Sequence, residues 1–308
     1  MGFFGSLMGA LPGAMAQGML WGVMAVGVFL TFRILDVADL TVDGSLACGG
    51  AVCVMLIRGG ADPWPALLCA AGAGVLAGLC TGLLHTRCGI PAILSGILTQ
   101  LALYSVNLRI LGGKANQPVS VDKYPLAVSQ RYVRELSVQN PILPAAVLLL
   151  LLIGGLYWYF GTERGCAVRA VGANAGMARA QGIDTRRATV AGLMLSNGLV
   201  AGAGGLLAQY QGAADVNMGR GAIVIGLAAV IIGEVLFSGV FRNFALKMTA
   251  VVIGAVLYYI VLQIVLQLGL NTNDLKLLTA AVVAVFLALP AWEERLRRSK
   301  RGGGKTNA

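Results

Sequence analysis

Six stretches of this chain contain no Asp, Glu, Lys or Arg: positions 1–32, 63–86, 88–108, 136–162, 188–214 and 248–273, holding 32, 24, 21, 27, 27 and 26 residues. A helix needs about 20 predominantly apolar residues to cross about 30 Å of hydrocarbon, so each run is long enough to span a bilayer. Three further uncharged runs, 44–57, 221–233 and 277–292, are shorter. The last extends at either end; the other two fall short of a span unless a flanking polar group is drawn in. None of the runs has the polar/apolar alternation of a barrel strand, and in hydrocarbon each peptide group must be satisfied within a helix or a closed barrel. The predicted fold is all-α, a polytopic transmembrane helical bundle of about nine spans, two of them short or broken.

Composition narrows the class. Of 308 residues, 57% are apolar and 12% charged, against roughly a quarter charged in a soluble domain, which excludes a water-soluble globule. The 43 glycines would each cost about 1 kcal/mol relative to Ala inside a helix in water, but in lipid small residues let helix backbones approach. Gly72, Gly74, Gly78 and Gly82 are predicted to form one close-packing face, and Gly198, Gly202 and Gly205 another. Cysteines 48, 53, 69, 80, 88 and 166 contain no C-x-x-C pair and are read as small hydrophobes rather than a metal or disulfide framework. Ala14-Met15-Ala16 resembles a leader cleavage site, but no Lys or Arg precedes the long apolar core, so the first run is expected to be a retained span.

Orientation follows from the basic residues, which accumulate in cytoplasmic loops. The most basic segments are 161–187, with Arg164, Arg169, Arg179, Arg186 and Arg187, and the tail, with Arg295, Arg297, Arg298, Lys300, Arg301 and Lys305. Both are cytoplasmic if four spans separate them, which requires the short run at 221 to cross. Counting back through five spans puts the N-terminus outside and the C-terminus in the cytoplasm, with 15 of the 23 basic residues inside and eight outside. The loop from Gly112 to Asn140 is then external and is expected to fold over that face. Residues 1–291 are expected to form a single transmembrane domain, with halves at 14–160 and 188–291, a cytoplasmic segment at 161–187 and a basic cytoplasmic tail at 292–308.

Catalytic chemistry is thinly supplied. An ion-coupled carrier generally keeps an ionisable group inside its spans, and the six long runs have none. Glu234 is the single candidate, with pairing to a neighbour such as Arg242 as its structural role. His85 is the lone histidine, beside Arg87 at a turn, and supports no catalytic constellation. Gly304-Lys305-Thr306 mimics the end of a phosphate loop, but the required earlier glycine is Ser299 and no helix can follow. The basic tail reads as an anchor to anionic lipid. Neither a metal nor a cofactor is expected, and no nucleic-acid partner.

The two short runs carry a different signal. D-L-T-V-D-G-S-L-A-C-G-G from Asp39 and D-V-N-M-G-R-G-A-I-V-I-G from Asp215 each place an Asp-initiated polar turn before a truncated, glycine-rich span. The first turn is predicted to be cytoplasmic and the second external, an inverted pair of the kind that marks a transport site; two unrelated short helices are the alternative. Polar stripes inside spans, Ser95, Thr99, Gln100, Tyr104 and Asn107 on one helix, Tyr259, Gln263 and Gln267 on another, with Ser196 and Asn197 between, either bond helices together or line a polar path. Ser95, Thr99, Asn107, Ser196, Asn197 and Gln263 are the path candidates.

Segment 161–187 reads G-T-E-R-G-C-A-V-R-A-V-G-A-N-A-G-M-A-R-A-Q-G-I-D-T-R-R. Asn174 is placed to cap a short helix through Ala180, closed by Gly182; such a helix is too short to be stable alone and suits docking into a partner's groove. From Gly165 through Gly172, Asn174, Ala178, Ala180, Gly182 and Ile183 the segment resembles the coupling segment of ABC importer permeases of the branched-chain amino acid and ribose type. L-T-V-D-G-S at Leu40–Ser45, G-I-L-T-Q-L-A-L-Y-S-V-N-L-R-I-L-G-G at Gly96–Gly113 and A-A-V-I-I-G-E-V-L-F at Ala228–Phe237 are similar to the amino acid uptake branch, tryptophan and tyrosine systems among them, over about residues 14–291. The resemblance implies a multi-pass permease of the bacterial inner membrane that dimerises with a second permease subunit, receives an amino acid or similar small polar solute from an extracytoplasmic solute-binding protein, and rests on cytoplasmic ATPase subunits. Carried over by position, Ala170, Gly172, Asn174, Ala178, Gly182 and Ile183 would be the ATPase-docking contacts. The runner-up function is an ion-gradient-driven secondary transporter, and a membrane enzyme or scaffold trails both.

Overall fold

A computed structural model describes residues 3–133, 140–237 and 243–267, together with 277, 280, 281, 283–285 and 288. Ten α-helices run through the described segments: α1 Phe3–Phe29, α2 Thr41–Arg58, α3 Pro63–Thr86, α4 Ala92–Ile110, α5 Ile142–Gly161, α6 Glu163–Ala173, α7 Ala175–Ala180, α8 Thr185–Gln211, α9 Ala222–Phe237 and α10 Phe244–Gln267. α1 continues as one π-helical turn, Leu30–Ile34. Seven of the helices are long and apolar enough to cross a membrane, and α9, at 16 residues, is a shorter apolar helix. These correspond to eight of the nine expected spans. The run at 277–292 lies largely outside the described residues, and the basic tail wholly outside them.

Small residues decide how the helices pack. α3 and α8 run antiparallel with Gly74, Gly78 and Gly82 against Asn197, Leu193 and Val190, so that a Cβ at Gly78 would lie 2.8 Å from Met194 Cα. From the opposite helix Gly198 meets Val75, and Gly205 meets Leu67 and Ala70. The expected glycine face is therefore real from 74 onward, but Gly72 has nothing within 4 Å and is not part of it; it lies two residues before Gly74, about 200° around the helix. α2 lies against α8 by the same device, Gly49 on Ala201 and Gly204 on Leu46. Among the six cysteines Cys48 and Cys53 are buried in this core, and all six are free thiols.

At one end of the bundle, β1 (Asn116–Pro118) pairs antiparallel with β2 (Ala213–Asp215), Gln117 opposite Ala214. Arg58 at the end of α2 donates to Gln117, and Val119, Val128 and Val133 are buried, so the described part of the 112–140 loop folds over this end. Gly212, with positive φ, closes α8 and turns the chain into β2. At the other end α6 and α7 follow α5, and His85 fastens the α3–α4 turn by donating from Nδ1 to the Ile90 carbonyl, 2.8 Å.

The Asp39 turn, expected as a polar turn before α2, is buried in the bundle: Asp39 is 3% exposed and bonded to Asn197, which lies 12 residues into α8, ~18 Å along its axis. The chain leaves the π turn and folds back into the bundle before α2 begins. A hydrophobicity count cannot register this, because the polar turn is satisfied by partners inside the protein rather than by water.

Glycine packing gives a direct test. Gly78→Val should destabilise the protein by ~2 kcal/mol or more, since the added side chain meets backbone, whereas Gly72→Val should stay within ~0.5 kcal/mol of wild type. Thermal unfolding in detergent, followed by size-exclusion chromatography, measures both.

Candidate translocation site and coupling segment

Two helices begin inside the bundle, and their first turns meet. Asp43, in the first turn of α2, accepts hydrogen bonds from the Gly221 and Ile223 N–H groups at the start of α9, at 2.9 and 3.0 Å. The first N–H groups of a helix lack intrahelical partners and carry the positive end of its dipole. Asp43 therefore caps α9 in trans, 178 to 180 residues away in sequence. Gly219 packs on the Asp43 carbonyl and Met218 sits against Gly50, which fixes the descent from β2 to α9 against α2.

Asp39 does the matching work for α2. Its Oδ1 accepts from the Thr41 N–H at 2.9 Å and its Oδ2 from Asn197 Nδ2 at 2.7 Å. Asn197 in turn accepts from Ser45 Oγ at 2.6 Å. Thr41, Thr81 and Thr99 form a buried hydroxyl chain, 2.7 and 2.9 Å, across α2, α3 and α4. Both aspartates lie just before the short run at 44–57, so counting charges only in the long runs missed them. The signal available in the sequence was their i, i+4 spacing around Thr41 at a helix start.

Beside this junction is a cavity of about 390 Å³, lined among others by Asp43, Gln100, Tyr104, Asn107 and Arg220. Of the six residues proposed for a path, Asn107 lines it. Ser196 donates to the Gly27 carbonyl at 2.7 Å, Ser95 and Thr99 bond back to their own helix, and Asn197 holds Asp39. Gln263 is half-buried on α10 and is not among the residues lining the cavity.

At the far end, Arg33 of the π turn and Glu234 of α9 form an ion pair, Nε to Oε1 2.7 Å. Arg33 is the partner found for Glu234; Arg242 lies outside the described residues. The segment after α5 folds as two short helices. Thr162 caps α6 and Asn174 caps α7, its Oδ1 accepting from the Met177 N–H at 2.9 Å, and the Ile183 N–H closes on the Ala178 carbonyl at 3.0 Å. Gly172 presses directly on the Ile34 carbonyl, and Val168 and Gly192 enclose Leu35. Of the six proposed docking residues, Asn174 and Gly182 are exposed, Ala170, Gly172 and Ile183 half-buried and Ala178 buried. Met177, which sequence reasoning passed over, is 57% exposed on the outer side of α7.

Residues 11–288 match the family described as branched-chain amino acid transport system, permease component. The chain is 37% identical over 281 residues to the tyrosine transport system permease protein of Clostridioides difficile, covering 91% of each chain. It is also similar to the inner membrane ABC transporter permease protein YjfF of Escherichia coli, 30% identical over 71% of this chain and 65% of that one. The fructose import permease protein FruF of Bifidobacterium longum is 24% identical over 93% of this chain and 79% of its own length.

Removing the hub of the junction should be expensive. Asn197→Leu leaves the Asp39 carboxyl buried and short of a donor, an expected loss of ~3 kcal/mol or more. Ser196→Ala, which deletes one hydroxyl bond between helices, should cost ~1 kcal/mol. Denaturant titration of both variants in mixed micelles measures the difference.

Proposed function

Because the chain belongs to the family of branched-chain amino acid transport system permease components, we propose that it carries an amino acid inward through the α2–α9 junction, driven through α6 and α7 by a partner ATPase. As a multi-pass membrane permease of an ABC importer it is not itself an enzyme, and it works with an ATPase and a solute-binding protein. In this proposal ATP is hydrolysed on the partner, the N-terminus lies outside, and segment 161–187 and the tail face the cytoplasm of a bacterium, with the permease in its inner membrane. The uneven division of basic residues supports that orientation.

The observation that carries the coupling role is the seating of Gly172 on the Ile34 carbonyl. A displacement of α6 passes to the π turn without a side chain to cushion it. The π turn is tied to α9 by Arg33–Glu234 and leads within five residues to Asp39. On the outer side, Asn174, Gly182 and Met177 meet the ATPase. On the inner side, Ala170, Gly172, Ala178 and Ile183 transmit the motion. Helices of 11 and 6 residues are too short to hold this geometry by propensity alone, which supports a partner surface that completes them.

The path runs through the cavity at the junction, with Asn107 on its wall and Ser95, Thr99, Ser196 and Asn197 holding the walls in place; Gln263 lines the path only if α10 turns during transport. Leu101 and Tyr104 of α4, exposed beside the cavity, support a second copy of the chain closing its open side. An amino acid is assigned in preference to a sugar because the relative named for tyrosine shares more identity with this chain than the one named for fructose, and over 91% of both lengths.

Uptake into proteoliposomes tests the proposal: accumulation should require the ATPase and ATP and ignore ionophores, whereas concentrative uptake by the chain alone would overturn it. Met177→Glu, on an exposed position, should leave insertion and unfolding unchanged while lowering ATP-driven uptake by about tenfold or more, equivalent to ~1.4 kcal/mol of lost coupling; co-purification of the ATPase should fall in parallel.

A further inference from the structure

The cavity at the junction holds two opposite charges that are not spent on each other. Arg220 lines it, is exposed, and forms no ion pair with any described residue. Asp43 lines it too, but each of its oxygens is engaged by an N–H of α9. A carboxylate has about four lone-pair sites, so both oxygens retain acceptor capacity toward the cavity. Arg220 stands two residues before the start of α9, where the helix dipole is positive. Asp43 meets the α9 N–H groups themselves, and the Arg220 guanidinium is paired with no carboxylate among the described residues.

A second observation is independent of these charges. Asn107 is 1% exposed, lines the same cavity, and donates from Nδ2 to the Gly44 carbonyl at 3.3 Å, yet its buried Oδ1 has no donor. A buried acceptor left unmade costs about 1–3 kcal/mol, and such groups in native proteins call for a missing partner. The missing partner is an N–H or O–H donor beside Asp43. The volume, about 390 Å³, falls within the range of small-molecule sites, roughly 300–1,000 Å³. Leu101 and Tyr104 supply an apolar wall.

We propose that this cavity recognises the zwitterionic head of an α-amino acid within the permease itself, Asp43 and the Asn107 carbonyl oxygen taking the ammonium, Arg220 the carboxylate, and Leu101 and Tyr104 the side chain. The assignment rests on the amino acid importer reading above and adds to it a selectivity step in the membrane subunit. An ammonium offers three donors and no acceptor, which matches Asp43 and Asn107; a guanidinium forks onto a carboxylate with two parallel bonds. A neutral sugar satisfies the Asn107 oxygen but leaves Arg220 without an anion. Discrimination by a site built from charged donors and acceptors is large, because an analogue lacking one group strands its partner.

The full chain, assembled with its ATPase in nanodiscs and without the binding protein, is titrated with three radiolabelled probes: L-tyrosine, tyramine, which lacks the carboxylate, and 3-(4-hydroxyphenyl)propionate, which lacks the ammonium. L-tyrosine should bind saturably and each half-molecule at least tenfold more weakly. Arg220→Gln should weaken L-tyrosine at least tenfold and leave tyramine unchanged. Asn107→Leu should weaken L-tyrosine and tyramine together and leave the propionate unchanged. Arg220 is exposed, so its variant tests the site even if the Asn107 variant fails to fold. Equal binding of all three probes, L-tyrosine binding indifferent to Arg220→Gln, or no saturable L-tyrosine binding would each overturn the proposal while ATP-driven amino acid uptake persists. Loss of that uptake in the wild-type complex overturns instead the importer reading from which it proceeds.

Discussion

Two helices whose first turns meet within the bundle must have their first N–H groups satisfied, and in this protein a pair of aspartates four residues apart does so. An unpaired peptide group in the bilayer core costs several kcal/mol, so irregular backbone at that depth survives only where protein groups replace water. Asp39 bonds the Thr41 N–H of its own helix, and Asp43 reaches across to Gly221 and Ile223 of α9. The same two carboxylates thus cap the starts of α2 and α9 and fix the two starts against each other. Their negative charge lies at the positive ends of helix dipoles, where it is favoured. A carboxylate held by fixed donors in this way suits a structural clasp better than a group that must gain and lose a proton in each transport cycle.

The glycine ladders explain why the junction can be so closely built. α3, α8 and α2 approach until glycine Cα atoms touch the neighbouring backbone, as at Gly74, Gly78, Gly49 and Gly204. That proximity brings Asn197 within reach of both Asp39 and Ser45, and Thr41 within reach of Thr81 and, through it, Thr99. Each interhelical hydrogen bond contributes only about 0.6–2 kcal/mol in a membrane. Their value lies in register: a one-turn slip of α8 would carry Asn197 about 5.4 Å from Asp39 and leave both groups unsatisfied.

Much of this was legible in the chain. Long charge-free runs marked six helices directly, the i, i+4 glycines marked the α3–α8 face, and Asn174 marked the start of α7. The pairing of the runs after Asp39 and Asp215 pointed to a relation between α2 and α9. What was not legible was depth. Asp39 and Asp43 look like the rim of a loop because hydropathy assigns every aspartate to water, and only the tertiary partners, Asn197 and the α9 N–H groups, bring them inside. Arg33 was hidden for the same reason: the π turn that presents it toward Glu234 has no composition of its own. Met177 was overlooked because in a small-residue helix a single large apolar side chain reads as core, whereas a six-residue helix has too little surface to bury it.

The π turn is where the two ends of the molecule are joined. A π turn inserts an extra residue into a helix and is found frequently at functional sites. Here it directs Arg33 to α9, presents the Ile34 carbonyl to Gly172, and hands the chain through Leu35 to the Asp39 clasp. An ordinary α-helical turn would rotate each following residue by about 100° and could not serve all three contacts at once. The α6 contact at Ile34 and the Asp39 clasp are therefore separated by five residues of backbone, Ile34 to Ala38, rather than by a relay of side chains. The Gly172 contact, the Asp39 bonds and the Asp43 hold on the α9 start therefore share one short stretch of backbone.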